Sequence, residues 1–275
     1  MTGRKFEVPT SKRKVSAKHF HLTFKFALCT LHLLCLAWPA SAQAPVLDVL
    51  SRFDFLVGME HLVEDDPRFV WDARFAGELD FIDFGRGRLT FLGEYEVLLG
   101  EEFRIFDPNQ GNYTLATSLS ARVRGIEVAG VFHHVSRHLS DRPKRQAIDW
   151  NMVGARARGE FSRGRTEVES RVDVRGVVQH SYVDYRWELD AATRAHVRVA
   201  PRAAAILGGG IRVLGVDATR GRGRQVGARG EGGVRLEGAA AAVELFVAAE
   251  RRIDPYQLEF STASWVTAGF RLLSR

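Results

Sequence analysis

Segments of about ten residues, in which apolar and polar side chains alternate, recur from residue 53 onward. In the clearest segment, residues 165–175, Val, Ser and Thr alternate with Arg, Glu and Asp. Successive side chains of a β-strand point to opposite faces, so this period of two predicts strands with one apolar and one charged face. The chain is therefore expected to be all-β and antiparallel, with twelve strands at residues 53–62, 70–82, 88–99, 112–124, 126–136, 149–161, 165–175, 178–190, 194–214, 225–237, 240–252 and 260–273.

The charged faces of these strands distinguish two kinds of barrel. Rows of Arg with Glu or Asp repeat in strand after strand. Such rows suit the lumen of a small outer-membrane barrel, where opposite charges pair across strands and the apolar faces meet lipid. The alternative is a soluble barrel with its charged faces outside. We expect an antiparallel transmembrane β-barrel with a charged lumen, short periplasmic turns and longer extracellular loops.

The N-terminal residues predict export. Residues 1–42 combine a positively charged start, an apolar run at residues 26–38 and an Ala-Ser-Ala cleavage pattern, which together indicate a secretory signal peptide. Residues 43–52 are expected to be a periplasmic lead-in and residues 53–275 the barrel, in the outer membrane of a Gram-negative-type bacterium. Removing the leader takes 7 of 39 Lys and Arg and 1 of 33 Asp and Glu, leaving 32 of each. This balance gives no reason to expect a nucleic-acid partner.

Polar side chains interrupt the apolar pattern between residues 132 and 151. By strand alternation, His134 and Ser136 lie on the face that carries Phe132, and Asn151 lies on the apolar face of the next strand. A serine becomes a good nucleophile when a histidine takes its proton and a third group orients that histidine. These three residue types are therefore predicted to form a lipid-facing catalytic site.

This stretch resembles the active-site region of outer-membrane phospholipase A, in which a His-x-Ser strand is followed by Trp-Asn. The resemblance implies a twelve-stranded barrel that hydrolyses acyl esters of membrane lipids, with His134 as the base, Ser136 as the nucleophile and Asn151 as the orienting residue. It also implies calcium near the oxyanion, for which Asp141 and Asp149 are candidate ligands, and a possible homodimer.

Two further resemblances concern the same stretch. The lipid A deacylase barrels use a similar His-x-Ser, and the longer string from His134 through His138 to Asp141 resembles a family of uncharacterised exported barrel proteins. The chain departs from the phospholipase pattern after the serine, where Arg137-His138 replaces Asn-Gly. Only about twenty residues carry these resemblances, beyond the general architecture.

Plainer interpretations remain open at each position. His134 can be an interfacial residue at the barrel rim, Ser136 the end of a strand and Asn151 a cap at the start of one. The alternative function is a non-catalytic barrel, either structural or channel-forming. A third interpretation is a soluble, lipocalin-like binder in the periplasm.

Overall fold

The computed structural model describes residues 47–139, 147–256 and 258–274. None of the helices in these ranges is long and apolar enough to cross a membrane. The described chain forms twelve strands: β1 (Asp48–Val63), β2 (Trp71–Asp83), β3 (Arg88–Gly100), β4 (Asp107–Val123), β5 (Ile126–His138), β6 (Ile148–Arg163), β7 (Thr166–Ser181), β8 (Tyr185–Ala200), β9 (Ala203–Val216), β10 (Gln225–Glu237), β11 (Ala241–Ile253) and β12 (Thr262–Ser274).

Each strand pairs antiparallel with its neighbours in sequence, and the sheet closes on itself. Closure is made by β1 and β12, whose register runs from Leu56 opposite Leu273 to Val63 opposite Val266. Because every strand has a partner on both sides, no strand edge is left open. The prediction of a twelve-stranded antiparallel barrel is confirmed.

The two faces of the barrel wall differ sharply in chemistry. Outward-facing apolar side chains are strongly exposed, with Leu207 at 68%, Phe53 at 62% and Phe161 at 60%. Charged side chains point inward and are buried, and Asp173 and Glu244 are both 0% exposed. A soluble barrel buries its apolar side chains and exposes its charges, so this arrangement is that of a barrel with an apolar, lipid-compatible exterior.

Ion pairs fill the lumen. Glu244 accepts hydrogen bonds from Arg194 at 3.1 Å, Arg235 at 3.1 Å and Arg271 at 3.0 Å. A buried carboxylate needs such partners, because an unpaired charge in a low-dielectric interior is strongly unfavourable. The predicted charged lumen is therefore present and internally paired.

Some of these ion pairs join strands that are not neighbours in the sheet. Arg158 on β6 donates to both carboxylate oxygens of Glu78 on β2, at 2.9 Å each. Arg252 on β11 donates to Asp72 on β2 at 2.6 Å. Side chains that meet from separated strands cross the lumen, so they occupy its cross-section.

One end of the barrel, here called the loop end, carries the connections that follow the odd-numbered strands. Their described residues are 64–70, 101–106, 139, 147, 182–184, 217–224, 254–256 and 258–261. The opposite end carries the start of β1 and the end of β12. It also carries the connections at residues 84–87, 124–125, 164–165, 201–202 and 238–240. Apart from the short connection at residues 182–184, the connections at the loop end are the longer ones, which agrees with the expected arrangement of loops and turns.

Apolar side chains close the loop end from within. One buried cluster there comprises Val135, Ile148, Trp150, Met152, Val183, Tyr185, Leu214 and Ile253. Above it, the carboxylate of Asp254 accepts hydrogen bonds from Arg222 at 2.9 and 2.7 Å and from the Tyr185 hydroxyl at 2.7 Å. The loop end is thus packed like a protein core.

The structure corrects several predicted strand limits. β7 continues through Gly176, where a turn was expected, and the residues predicted as a turn at 190–193 lie in the middle of β8. The actual turn falls at Pro201 and Arg202, so the overlong strand predicted at 194–214 divides there. A register shift between Tyr185 and Trp187 explains part of the error, because a bulge reverses which face later residues occupy.

The first strand also starts earlier than predicted. β1 begins at Asp48, so residues 48–52 of the expected lead-in belong to the barrel wall. A register shift between Val49 and Arg52 interrupts the pairing of this segment with β2, which hid its alternation in the sequence. The predicted signal peptide at residues 1–42 lies outside the described residues and remains a prediction.

Candidate lipid-facing site

His134, Ser136 and His138 lie in a row on the outward face of β5, near the loop end. The preceding residue on this face, Phe132, is 44% exposed, whereas the intervening Val135 and Arg137 are each 8% exposed and point inward. Ladder pairing places Asn151 on β6 directly opposite His134. The predicted catalytic residues therefore share the outward face, as the strand alternation required.

His134 and Asn151 are in direct contact. The Nδ1 atom of His134 lies 2.7 Å from Oδ1 of Asn151. Since an amide oxygen only accepts, Nδ1 carries the proton in this pair and Nε2 is left with a free lone pair. This tautomer is the one that a histidine needs to accept a proton from a serine.

Ser136 is paired with a different histidine. Its Oγ atom lies 3.0 Å from Nε2 of His138, and the described residues show no hydrogen bond between Ser136 and His134. The His138 ring packs edge-on against Tyr113, with centroids 5.1 Å apart, and Tyr113 stacks on Tyr95 at 4.6 Å. The structure thus brings the predicted base and the predicted orienting residue together but turns the serine toward His138.

Further polar side chains extend the site onto β7. The Nδ2 atom of Asn151 donates to Oε1 of Gln179, and Nε2 of Gln179 donates to Oδ2 of Asp149 at 3.3 Å. The hydroxyl of Ser181 donates to the other Asp149 oxygen, Oδ1. A continuous hydrogen-bond chain therefore runs from His134 through Asn151 and Gln179 to Asp149.

A β-bulge places Gln179 in this chain. β6 and β7 pair Asn151 with Gln179 but Met152 with Val177, so Val178 is an extra residue on β7. The extra residue reverses the alternation, which turns Gln179 and Ser181 to the outward face. Sequence alternation continued from Val174 assigns them to the lumen, so both residues were missed.

The calcium prediction does not find a matching donor set among the described residues. Both oxygens of Asp149 already accept hydrogen bonds, from Ser181 and Gln179. The described part of the chain contains no group of three or more His, Cys, Asp or Glu side chains that could hold a metal ion. Asp141, the other candidate ligand, lies outside the described residues.

The inward neighbour of the serine ties the site to the loops. The guanidinium of Arg137 lies 5.1 Å from the centre of the Trp150 ring and donates to the backbone oxygen of Asp254 at 3.2 Å. Because Arg137 stands between Ser136 and His138 on the same strand, these contacts hold the end of β5 in place.

Comparison with known proteins gives matches by structure. No protein-family model matches the sequence, and no curated protein sequence matches it. Outer membrane phospholipase A from Escherichia coli is similar over 87% of this chain and 95% of that chain, with 12% identity and a TM-score of 0.51. The Salmonella typhi outer membrane phospholipase dimer with bound calcium is similar over 86% and 94%, with 12% identity and a TM-score of 0.52.

A third similar structure is the outer-membrane protein OmpT of Vibrio cholerae. It matches over 85% of this chain and 98% of that chain, with 10% identity and a TM-score of 0.44. At these identities the two phospholipase structures show the fold. The chain has the twelve-stranded fold of outer-membrane barrels.

Proposed function

We propose that this protein is an outer-membrane hydrolase that cleaves acyl esters of membrane lipids. The observation that carries the proposal is the contact of 2.7 Å between Nδ1 of His134 and Oδ1 of Asn151, with Ser136 two residues away on the same outward face. A lipid-facing barrel wall gains no packing energy from a row of His, Ser and Asn side chains. A catalytic role accounts for these polar side chains on the outward face.

In the proposed reaction, the Ser136 hydroxyl turns from His138 toward Nε2 of His134. Its oxygen attacks the carbonyl carbon of the ester, and its proton moves to His134. Collapse of the tetrahedral intermediate breaks the bond to the leaving alcohol, which takes the proton back from His134. Water then attacks the acyl-serine by the same route, releasing fatty acid and restoring the hydroxyl.

The surroundings of the site fit a substrate that stays in the bilayer. Tyr113 and Leu115 lie opposite Ser136 and His134 on β4 and are 46% and 47% exposed. They form, with Phe132, an apolar surface beside the serine on which an acyl chain can lie. These surroundings support a membrane lipid as the proposed partner and the outer membrane of a Gram-negative-type bacterium as the proposed location.

A lipid hydrolase in a membrane has to be controlled, and we propose that substrate access or dimerisation provides this control. The site lies on the outer surface, so a second copy of the chain packed against β4–β7 would enclose a bound acyl chain. Chemical cross-linking in detergent, with and without a lipid analogue, tests for the homodimer.

The alternative of a channel is opposed by the lumen. Cross-lumen pairs such as Arg158 with Glu78 occupy its cross-section, and the apolar cluster around Trp150 closes the loop end. The soluble-binder interpretation is opposed by the exposed apolar exterior. A non-catalytic, structural barrel remains the competing account.

The test is fatty-acid release from phospholipid in mixed micelles by the refolded barrel. Wild type is compared with Ser136→Ala and His134→Ala, each with calcium and with a chelator. Ser170→Ala is the matched control, because Ser170 also faces outward but pairs with Thr193 at 3.0 Å instead of a histidine. Release by wild type and Ser170→Ala, with loss of nearly all activity in the other two, supports the proposal. Equal inactivity of every protein under all conditions supports the structural barrel.

A further inference from the structure

The hydrogen-bond chain behind His134 ends on a carboxylate, and its direction is fixed by that end. An Asp carboxylate has only acceptor oxygens, whereas each amide has one accepting and one donating end. Nε2 of Gln179 donates to Asp149, which leaves Oε1 of Gln179 facing Asn151. Nδ2 of Asn151 donates to that oxygen, which leaves Oδ1 of Asn151 facing His134.

This direction determines where the proton of His134 lies. With Oδ1 of Asn151 presented to it, His134 carries its proton on Nδ1, and Nε2 is a proton acceptor. If the Asn151 amide turned over, Nδ2 would face the ring, Nδ1 would have to accept, and the proton would move to Nε2. A histidine protonated there cannot take the serine proton.

We infer that Gln179 and Asp149 are positioning residues that set the tautomer of the catalytic histidine through Asn151. The inference rests on the proposed function and extends the site from three residues to five. Asp149 then acts like the carboxylate of a Ser-His-Asp triad, with two amides inserted between it and the imidazole. Its partner Ser181 holds the other carboxylate oxygen in place.

The setting strengthens this coupling. His134, Asn151, Gln179 and Asp149 all lie on the outward face, beside the exposed apolar side chains of Leu115 and Phe132. A turned Asn151 amide would point its Oδ1 at Oε1 of Gln179, so two acceptor oxygens would face each other without a proton between them. Unmatched polar groups in such surroundings are costly, so the observed direction is strongly preferred.

The decisive variant reverses the direction at Gln179. In Gln179→Lys, the ammonium group can donate to Asp149 and to Oδ1 of Asn151 but can accept from neither, so it pulls Oδ1 away from His134. We expect the rate of Ser136 labelling by a fluorophosphonate probe to fall roughly tenfold or more, because the wrong tautomer removes the base. The probe loses fluoride as the serine oxygen bonds to phosphorus, so labelling reports the nucleophile without a lipid substrate.

Two further variants separate positioning from a structural effect. Asn151→Asp gives His134 an acceptor that cannot turn over, so adding Gln179→Lys to it should leave the labelling rate within about threefold of Asn151→Asp alone. In the double variant Asp149→Asn with Gln179→Glu, the carboxylate stands at position 179 and the amide at position 149. The hydrogen bonds from Asn151 onward can therefore keep the same order of donors and acceptors. The double variant should label at least several-fold faster than Gln179→Lys, because the order of donors and acceptors is kept.

The outcomes distinguish the inference from the proposed function. If Ser136→Ala labels as fast as wild type, or if wild type does not label at all, the proposed function fails. If wild type labels and Ser136→Ala does not, but Gln179→Lys labels at the wild-type rate, the positioning role fails alone. A slow Gln179→Lys that Asn151→Asp does not rescue also overturns it. Heat-shifted mobility on gels confirms that each variant has folded.

Discussion

The Oγ atom of Ser136 lies 3.0 Å from Nε2 of His138, the histidine that follows it along β5, and not beside His134, which precedes it. Both histidines are two residues from the serine and share its face, so either ring can serve as its partner. Rotation about the Cα–Cβ bond of Ser136 moves the hydroxyl between staggered positions. The described conformation therefore holds the proposed nucleophile apart from its base.

This contact predicts that His138→Phe accelerates the proposed reaction. The phenyl ring keeps the packing against Tyr113 but cannot bond the hydroxyl, which frees Ser136 to turn toward His134. We expect fluorophosphonate labelling to be roughly threefold faster or more, since only the fraction of molecules in the competent rotamer reacts. A loss of labelling as large as that of His134→Ala would instead identify His138 as the base.

The exposed apolar exterior predicts that a charged substitution destabilises the barrel more than an apolar one. Leu207, 68% exposed on β9, should tolerate Phe, but Leu207→Arg should lower the free energy of unfolding in lipid vesicles by about 2–4 kcal/mol if it lies near the bilayer centre. Urea titration of folded protein in vesicles, followed by tryptophan fluorescence, measures this difference. Equal stability of the Arg and Phe variants would contradict a lipid-facing position for Leu207.

A fully buried carboxylate in the lumen, that of Glu244, predicts a large effect on stability. Glu244→Ala leaves Arg194, Arg235 and Arg271 without their shared partner, and we expect it to destabilise the barrel by roughly 3–5 kcal/mol. Glu167→Ala is the control, because its ion pair with Arg198 spans 3.6 Å between side chains that are more than half exposed. That variant should change stability by about 1 kcal/mol or less in the same urea titration.

The filled lumen also predicts that the barrel does not conduct. Purified protein inserted into planar bilayers should give no steady ion current at moderate voltage, because side chains from separated strands meet across its interior. Arg158→Ala with Arg252→Ala removes two such crossings and is the variant in which any leakage should first be seen. A stable current through the wild type would restore the channel alternative.

A loop ion pair predicts a local response to acid. The hydrogen bond from Arg68 lowers the pKa of Asp66 below its ordinary value of 3.8, and Arg68 also bonds Glu259 at 2.7 Å. A lowered pKa means that this contribution is present above about pH 4 and is lost as the pH falls further. The amide of Phe69 donates to the backbone oxygen of Asp66, and its protection against hydrogen exchange, corrected for the intrinsic rate at each pH, should fall below that pH in wild type. Arg68→Leu should show less change.

The strand number and the two faces could be predicted because the charged and apolar rows repeat with a period of two. The contact between His134 and Asn151 followed from the same alternation. Bulges could not be seen in the sequence, since one extra residue such as Val178 leaves the local composition unchanged while reversing the faces beyond it. For that reason Gln179 and the limits of β7, β8 and β9 were missed.

Which of the two histidines Ser136 bonds could also not be predicted from the sequence. Positions two before and two after a strand residue are equivalent in the pattern. In the structure the two histidines differ in their contacts, because His134 bonds Asn151 whereas His138 packs against Tyr113. The sequence does contain a signal for this second partner, because three histidines, at positions 133, 134 and 138, lie within three residues of Ser136.

A barrel whose interior is saturated with ion pairs has only its outer wall left for chemistry. In the proposed reaction, a substrate lipid reaches Ser136 by lateral diffusion within the leaflet. The rate of encounter then depends on the mole fraction of substrate in the membrane or micelle surface and not on its concentration in the bulk solution. Diluting the substrate with inert detergent at constant total lipid should therefore slow turnover, while diluting the whole suspension with buffer should not.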